Sequence, residues 1–429
     1  MLLNKVKKLP TLYFPKIKTG LSQGLSHCLI FAIIPVVLFG GYWLIKDESL
    51  FIDEYQHYQS IKEIAQLQIT EETFLRNAHF PGYYVLLGFL GFLFKNNTIV
   101  VMRFLNTLFS LACVYVFYRT AKEIDSKSCV VKTFQFFLFP ILFPFFFLIY
   151  NDVLSLFLVL LSFLFLMRKR LGFSAITILS SILIRQNNII WVGFLITYLI
   201  LEKVSKNKKI DEIKFADMLK DIWLFVFIIL LFGVFFLVKG GVTFGTANRL
   251  SQPISFHLDN IYFSLFLFSV LFFPLILDRN NFQKMKIIIT KRSYFWLIMI
   301  FFPFYSKTFK GDHPWNSSEF NFFLRNNFLN YFLSNLGTKI LLFAFVFFAI
   351  LLLATIKLKK KIFYLLYPFS FIFLSFSWLV EPRYYFIPYT FFILFRKESS
   401  TMIEFSLLIF YWLLSGVIFL GILFRYFFL

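Results

Sequence analysis

Charged residues are scarce in this chain of 429 residues. They make up 15% of it, whereas 59% of the residues are hydrophobic. An ordinary soluble domain carries roughly 25% charged residues, so too few polar side chains remain here to cover a water-soluble globule. The composition therefore excludes an ordinary soluble enzyme and predicts an all-α polytopic membrane protein.

Cysteine is also scarce, and several familiar patterns are missing. The three cysteines, Cys28, Cys113 and Cys129, are widely separated, and neither a disulfide framework nor a metal-ligand spacing follows from them. The chain has no glycine-rich phosphate loop, no arrangement of a Ser, Cys or Lys nucleophile, and no repeat of 20 to 50 residues. The 68 phenylalanines are interpreted as a compositional bias and not as a ligand site.

The excess of basic residues is explained by membrane orientation. Lys and Arg number 43 against 22 Asp and Glu, a formal charge of +21. Residues 1–24 carry five lysines, whereas residues 46–80 carry seven acidic and three basic side chains. The positive-inside rule then predicts a cytoplasmic N-terminus and an outer, lumenal first loop. If successive segments alternate between the two sides of the membrane, the cytoplasmic segments carry +20 of the charge. Membrane orientation then accounts for the basic residues, and nucleic acid is not predicted as a partner.

The apolar runs predict about 12 to 13 crossings in a single membrane domain, residues 1–429, with a second large outer loop at 306–337. The run 81–94 is expected to be interfacial or re-entrant, because 14 residues are too few for a secure span. The long candidate spans are 25–45, 99–118, 132–149, 221–238, 258–277, 338–356, 362–380 and 403–424. The shorter runs are 81–94, 153–167, 171–184, 189–201, 293–305 and 384–395.

The predicted outer segments collect the unusual polar groups. A charged group in or beside the hydrocarbon costs about 2.5–3.5 kcal/mol and persists where it is paired or used. A carboxylate cluster in the first loop, facing an arginine between two half-length apolar runs, combines a base with an anion binder. This combination suits transfer chemistry on a phosphate-bearing lipid. The residues are Asp53, Glu54, His57, Asp152, Arg185, Gln186, Asn188, His313, Glu381 and Arg383.

Most of these residues can also be explained by a structural role that involves no substrate. Asp53 and Glu54 are equally well explained as solvated loop charge, and Asp152 as the N-cap of a helix that begins at Val153. His313 fits a loop histidine, and the Glu381-Pro382-Arg383 stretch fits a lumenal turn with a local ion pair. Arg185 is harder to explain this way, because an arginine inside an apolar stretch needs a partner.

Seven segments, taken in order, resemble the dolichyl-phosphate-glucose alpha-1,2-glucosyltransferases, which add the terminal glucose to the lipid-linked N-glycan precursor. The first loop and the arginine segment are the most specific, and the resemblance covers most of the chain. The segments are "FIDEYQHYQ" (51–59), "HFPGYY" (79–84), "MRFLN" (102–106), "LIYNDVLSLFLVLLSF" (148–163), "IRQNNIIWV" (184–192), "HPW" (313–315) and "LVEPRYYFIPY" (379–389).

The resemblance implies a GT-C type fold in the endoplasmic reticulum membrane with a lumenal active site. For a bacterial source, the equivalent is the inner membrane with a periplasmic site. The implied donor is a dolichyl- or other polyprenyl-phosphate sugar, and the implied acceptor is a lipid-linked oligosaccharide. The implied transfer inverts the configuration at the anomeric carbon. The catalytic base falls on Asp53 or Glu54, with Asp53 preferred. Asp152 matches the second acidic position. The resemblance leaves room for a divalent metal at the two acidic positions, and the sequence requires no cofactor.

The resemblance also implies substrate-binding roles for several residues. Arg185 and Arg383 are the candidates for the donor phosphate. The remaining donor- or acceptor-binding candidates are His57, Gln186, Asn188, His313 and Glu381.

Two segments depart from the family pattern. Residues 244–252 read "FGTANRLSQ", with Thr246 in the place of an aspartate, and residues 316–323 read "NSSEFNFF" after His313-Pro314. Another GT-C transferase, with a different sugar or acceptor, therefore remains an alternative. A transporter or lipid flippase is the alternative from another class, although such proteins commonly show internal repeats.

Overall fold

The computed structural model describes residues 21–206, 215–243, 255–319 and 322–429. This part of the chain contains α-helices and no β-strand; two isolated bridges join Phe322 to Phe428 and Leu358 to Arg396. The helices are α1 Leu21–Ile45, α2 Glu54–Ala65, α3 Glu71–Leu75, α4 Gly82–Leu93, α5 Ile99–Ile124, α6 Cys129–Phe137, α7 Asn151–Met167, α8 Leu171–Ile182, α9 Ile189–Lys206, α10 Phe215–Lys239, α11 Asp259–Leu271, α12 Arg279–Ile289, α13 Arg292–Thr308, α14 Leu329–Leu333, α15 Leu336–Thr355, α16 Leu366–Ser375, α17 Phe386–Phe395 and α18 Thr401–Leu423.

Short helices of other types join them. The segment Phe323–Phe328 is a π-helix, which often occurs at functional sites. The 3₁₀ segments are Phe143–Phe146, Gln186–Asn188, Phe273–Leu277, Pro314–Asn316, Lys361–Leu365 and Pro382–Tyr385.

The all-α polytopic fold predicted from composition is confirmed. Within the described ranges, five helices are long and apolar enough to cross a membrane: α5, α9, α10, α15 and α18. Shorter apolar helices, among them α7, α8 and α11, pack between or beside them. On α10, Trp223, Leu237 and Val238 are largely exposed, as expected of a helix whose outer face is solvated by lipid.

The run 132–149 is not the single span predicted from its hydropathy. Helix α6 ends at Phe137, and a turn and the 3₁₀ segment follow, because Pro140 and Pro144 cannot continue an α-helix. Polar side chains of α5 bind the freed carbonyl oxygens. Asn106 donates to Phe145 O at 3.1 Å, and Ser110 donates to Phe146 O at 2.8 Å. The interrupted segment is therefore satisfied inside the protein core.

Helix α2, which lies within the first loop, packs against α4, which follows that loop. Two glycines of α4 allow the close approach: a Cβ on Gly88 would lie 2.6 Å from Ile64 Cγ2, and one on Gly91 would lie 3.2 Å from Ala65 Cβ. The backbone N–H of Gly82 donates to Leu183 O at 2.9 Å. This contact ties the start of α4 to the segment that carries Arg185.

A network of buried charges fastens the other end of the bundle. Lys132 of α6 forms an ion pair with Glu398 at 2.9 Å, and Lys359 forms one with the same carboxylate at 2.6 Å. Arg396 pairs with Glu404 of α18 at 2.5 Å. These groups lie on four separate segments, so the network holds α6, α17 and α18 together. All of these segments are distant in sequence from the first loop.

Candidate functional site

Asp53 lies within the first loop, residues 46–80, directly before the first residue of α2. Its side chain does not cap the helix. One carboxylate oxygen instead accepts a hydrogen bond from Arg383 Nη2 at 3.0 Å, and 29% of the side chain remains exposed. Ile52 has a φ of +37°, which a β-branched residue rarely adopts. Such strain costs about 1–3 kcal/mol and persists only where surrounding contacts fix the backbone.

Glu54 supplies those contacts. Its fully buried carboxylate accepts hydrogen bonds from Arg103 Nε at 2.9 Å and Nη2 at 2.6 Å, and from the backbone N–H groups of Phe51 at 3.0 Å and Ile149 at 2.9 Å. Arg103 also donates to Ile45 O at 2.6 Å. Glu54 thus clamps the first loop onto α5, and the structure does not bring its carboxylate into the cavity with Asp53.

Glu381 lies between two arginines. It accepts from Arg325 Nη1 at 2.5 Å and from Arg383 Nη2 at 2.9 Å. Burial alone would raise the pKa of Glu381, but these two guanidiniums outweigh burial and lower the pKa to about 2. The predicted turn with a local ion pair is therefore present but buried, and Arg383 is shared between Glu381 and Asp53.

Arg185 and Asp152 form a buried ion pair. Helix α7 already begins at Asn151, and Asp152 lies within its first turn, so the interpretation of Asp152 as an N-cap is wrong. The Arg185 guanidinium lies 5.3 Å from the ring centre of Tyr384, and its Nε has no hydrogen-bond partner among the described residues. Arg185 thus keeps one donor that no described residue uses.

His57 lies one turn after Asp53, on the same side of α2. Its Nδ1 is 2.9 Å from Tyr84 Oη, and its ring packs edge-on against Tyr150 at 5.2 Å. Burial lowers the pKa of His57 to about 3; Asp53 opposes this shift, and the neighbouring Arg383 adds to it. His57 is therefore neutral at physiological pH and can exchange hydrogen bonds without adding charge.

Asp53, His57, Arg185, Glu381 and Arg383 line one cavity of about 360 Å³. Four guanidiniums and two carboxylates line it, and two of the guanidiniums are paired with carboxylates outside the lining, Arg76 with Glu63 and Arg185 with Asp152. The titratable lining residues are Asp53, His57, Arg76, His79, Arg185, Arg325, Glu381, Arg383 and Tyr384.

A second cavity, of about 300 Å³, adjoins the first and is largely apolar. The two share His79, Leu379 and Tyr384, and the second extends to Phe232, Phe373, Phe376 and Trp378. A polar chamber therefore opens beside an apolar one.

Three predicted residues support the site from outside the polar cavity. Gln186 lines the apolar cavity and donates to Ala78 O at 2.9 Å. Asn188 donates to Ser155 Oγ at 2.7 Å. His313 accepts from the N–H of Trp315 at 3.0 Å and caps a short 3₁₀ helix.

Sequence reasoning missed Arg325, which the π-helix presents to Glu381. Its guanidinium lies 3.5 Å from the ring centre of Phe322, and its backbone carbonyl accepts from Asn316 Nδ2 at 3.0 Å. Asn316 also exchanges hydrogen bonds with the backbone of Val380, so it joins the 306–337 loop to the Glu381 turn. An arginine among aromatic residues in an outer loop is the signal that could have identified Arg325.

Two further points from the sequence analysis are the segment 244–252 and the possible metal. Residues 244–252, which depart from the family pattern, lie outside the described residues. Within the described ranges, no three His, Cys, Asp or Glu side chains lie close enough together to hold a metal ion. Asp53 and Asp152 each face an arginine instead.

Fold and site together define a multi-pass α-helical membrane protein with an arginine-lined, carboxylate-bearing cavity near one end of its helices. A sequence profile of the DIE2/ALG10 family matches residues 49–394, which include every candidate site residue. The chain belongs to the DIE2/ALG10 family.

Curated relatives carry one name, Dol-P-Glc:Glc(2)Man(9)GlcNAc(2)-PP-Dol alpha-1,2-glucosyltransferase. The Mus musculus protein is 26% identical over 235 residues, which are 46% of this chain and 49% of the relative. The Homo sapiens protein is 24% identical over 241 residues, 47% and 50% of the two chains. The Candida albicans protein is 25% identical over 285 residues, 62% of each. The chain thus spans about half the length of the mammalian relatives that it matches. No solved structure matches it significantly.

Proposed function

We propose that this protein is an inverting GT-C type glycosyltransferase of the endoplasmic reticulum membrane. It transfers glucose from dolichyl-phosphate-glucose to a lipid-linked oligosaccharide in an alpha-1,2 linkage, at the lumenal face. The observation that carries the proposal is the pairing of Asp53 with Arg383 in an arginine-lined cavity that adjoins an apolar one. The names of the family relatives support the same reaction.

The arginines of the polar cavity suit this donor. A polyprenyl-phosphate sugar carries one negative charge on its phosphodiester, and the departing polyprenyl phosphate carries two. Arg383, Arg325 and Arg185 supply guanidiniums, which bind phosphate oxygens in a fixed geometry. Fixed donors aimed at charge that develops during the reaction lower its barrier. We assign these three arginines to the phosphate.

Asp53 is the proposed base. The acceptor hydroxyl oxygen attacks the anomeric carbon, the bond from that carbon to the phosphate oxygen breaks, and the phosphate leaves with the electron pair. Asp53 takes the hydroxyl proton. In the ligand-free protein Arg383 donates to Asp53; a bound phosphate competes for Arg383 and frees the carboxylate for this role.

The remaining groups orient the substrates. The apolar cavity beside Leu379 and Tyr384 accommodates the first part of the polyprenyl chain. Neutral His57 hydrogen-bonds a sugar hydroxyl next to Asp53. Asp152 holds Arg185, and Glu381 holds Arg325 and Arg383, so both carboxylates position the arginines.

Substitution of Asp53 tests the proposal. The purified protein is reconstituted in lipid with dolichyl-phosphate-glucose and a diglucosylated lipid-linked oligosaccharide, and the product is followed by mass. Asp53→Asn is expected to lower the transfer rate by about 10²–10⁴-fold, the usual contribution of a general base. Asp47→Asn is the matched control, because Asp47 lies in the same loop and is exposed. Transfer that is unaffected by Asp53→Asn overturns the assignment of the base, and transfer only from a mannose donor overturns the assignment of the sugar.

A further inference from the structure

The largest of the cavities described for this protein lies away from the Asp53–Arg383 site. Its volume is about 650 Å³, within the range typical of small-molecule sites, and it lies between α11, α15, α16 and α17. Helix α16 separates it from the apolar cavity of the candidate site. Phe373 lines the candidate-site cavity, whereas Phe371 and Leu374 line the large one. Most of its walls are apolar, including Leu265, Phe268, Ile350, Leu353 and Phe392.

Two lysines line this cavity. Lys284 comes from α12 and Lys357 follows α15; both side chains are exposed. Neither forms an ion pair with a carboxylate in the described part of the chain. Lys359, two residues further on, instead pairs with Asp125. The two lysines of the cavity therefore have their charge available to a ligand.

The cavity also contains hydroxyl groups without partners. Tyr367 Oη and Ser370 Oγ are buried, line the cavity, and make no hydrogen bond to any described residue. Buried polar groups normally have a hydrogen-bond partner. A molecule with acceptor oxygens, bound in the cavity, would provide one.

The cavity is also accessible from the outer surface of the helices. Phe371 is 45% exposed and Tyr364 is 41% exposed, and both line the cavity. Helix α16 begins near the lysine end, with Leu366 in the cavity lining, and ends before Glu381. The lysine end therefore lies away from the candidate active site.

We propose that this cavity binds a membrane lipid with a negatively charged phosphate headgroup. The headgroup contacts Lys284 and Lys357, an acyl chain fills the apolar space, and ester oxygens accept from Tyr367 and Ser370. Basic pockets between membrane helices bind such headgroups. Binding at this cavity does not depend on the activity proposed above.

Lipid binding to the full-length protein tests the proposal. The protein, purified in detergent, is titrated with phosphatidic acid or with phosphatidylcholine of the same acyl chains, and bound lipid is counted by native mass spectrometry. A lysine near a charged headgroup is worth about fivefold in binding, so Lys284→Gln with Lys357→Gln should reduce the preference for phosphatidic acid about 25-fold. Lys286→Gln with Lys361→Gln removes the same charge from neighbouring exposed positions outside the cavity lining and should leave the preference unchanged.

A second variant tests the apolar part. Ala354 lines the cavity, so Ala354→Phe should lower the binding of both lipids while the thermal unfolding midpoint stays close to that of the wild type. Equal binding of the two lipids to the wild type overturns the proposal. An equal effect of both lysine pairs, or displacement of phosphatidic acid by inorganic phosphate at equal concentration, also overturns it.

Discussion

The different environments of Asp53 and Glu54 give a direct prediction about which carboxylate does chemistry. Glu54 and Arg103 are fully buried and joined at 2.6 Å, and breaking a buried pair from one side costs about 3–5 kcal/mol. Glu54→Gln leaves the Arg103 charge unpaired and turns an amide donor toward groups that already donate. We therefore expect a large fall in the thermal unfolding midpoint. Asp53→Asn acts on a partly exposed carboxylate and should cost about 1 kcal/mol or less.

The assay compares the apparent unfolding midpoint, followed by tryptophan fluorescence in detergent, with the transfer rate of the protein that remains folded. The double variant Glu54→Gln/Arg103→Met removes the unpaired charge and should recover part of the lost stability. A Glu54→Gln protein as stable as the wild type but devoid of transfer would refute the reasoning, because Glu54 would then be the base.

Two further predictions concern the surroundings of the site. A Cβ on Gly82 would lie 2.4 Å from Leu183 O, so Gly82→Ala should displace the Arg185 segment, cost about 1–3 kcal/mol of stability and lower the transfer rate. Gly172→Ala is the control, because open space surrounds Gly172, and it should change neither stability nor transfer. Equal transfer rates for the two variants would contradict this prediction. The pKa of His57 is about 3, against an ordinary value of 6.5, so the unfolded chain binds a proton before the folded protein does, and stability should fall as pH drops from about 6.5 toward 3. The unfolding midpoint of His57→Gln between pH 7.5 and 5 should fall less than that of the wild type, and parallel curves would count against a buried neutral histidine.

Composition and charge pattern were sufficient to predict the helical membrane fold, because hydropathy reports directly on lipid solvation. They failed at 132–149, where Pro140 and Pro144 end a helix inside an apolar run. Such an interruption is stable only because Asn106 and Ser110, on another helix, bind the exposed carbonyls. Hydropathy does not record that partnership.

The sequence predicted only part of the candidate site, because contacts between distant segments decide the rest. The polar residues in the predicted outer segments indicated Asp53, Arg185, Glu381 and Arg383, which the structure brings to one cavity. Two adjacent acids have the same sequence signal, however. Only the packing of α5 against the first loop, which brings Arg103 to Glu54, separates the buried carboxylate from the exposed one.

The central claim is that the protein transfers glucose from a polyprenyl-phosphate sugar with inversion at the anomeric carbon. The wild-type reaction tests this claim most directly. The reconstituted protein receives β-linked dolichyl-phosphate-glucose and the diglucosylated lipid-linked acceptor, and the new linkage is assigned by mass and by nuclear magnetic resonance of the released glycan. The account predicts one added hexose in an alpha-1,2 linkage. A β-linked product would contradict the single displacement, and no transfer from any polyprenyl-phosphate sugar would contradict the enzymatic function itself.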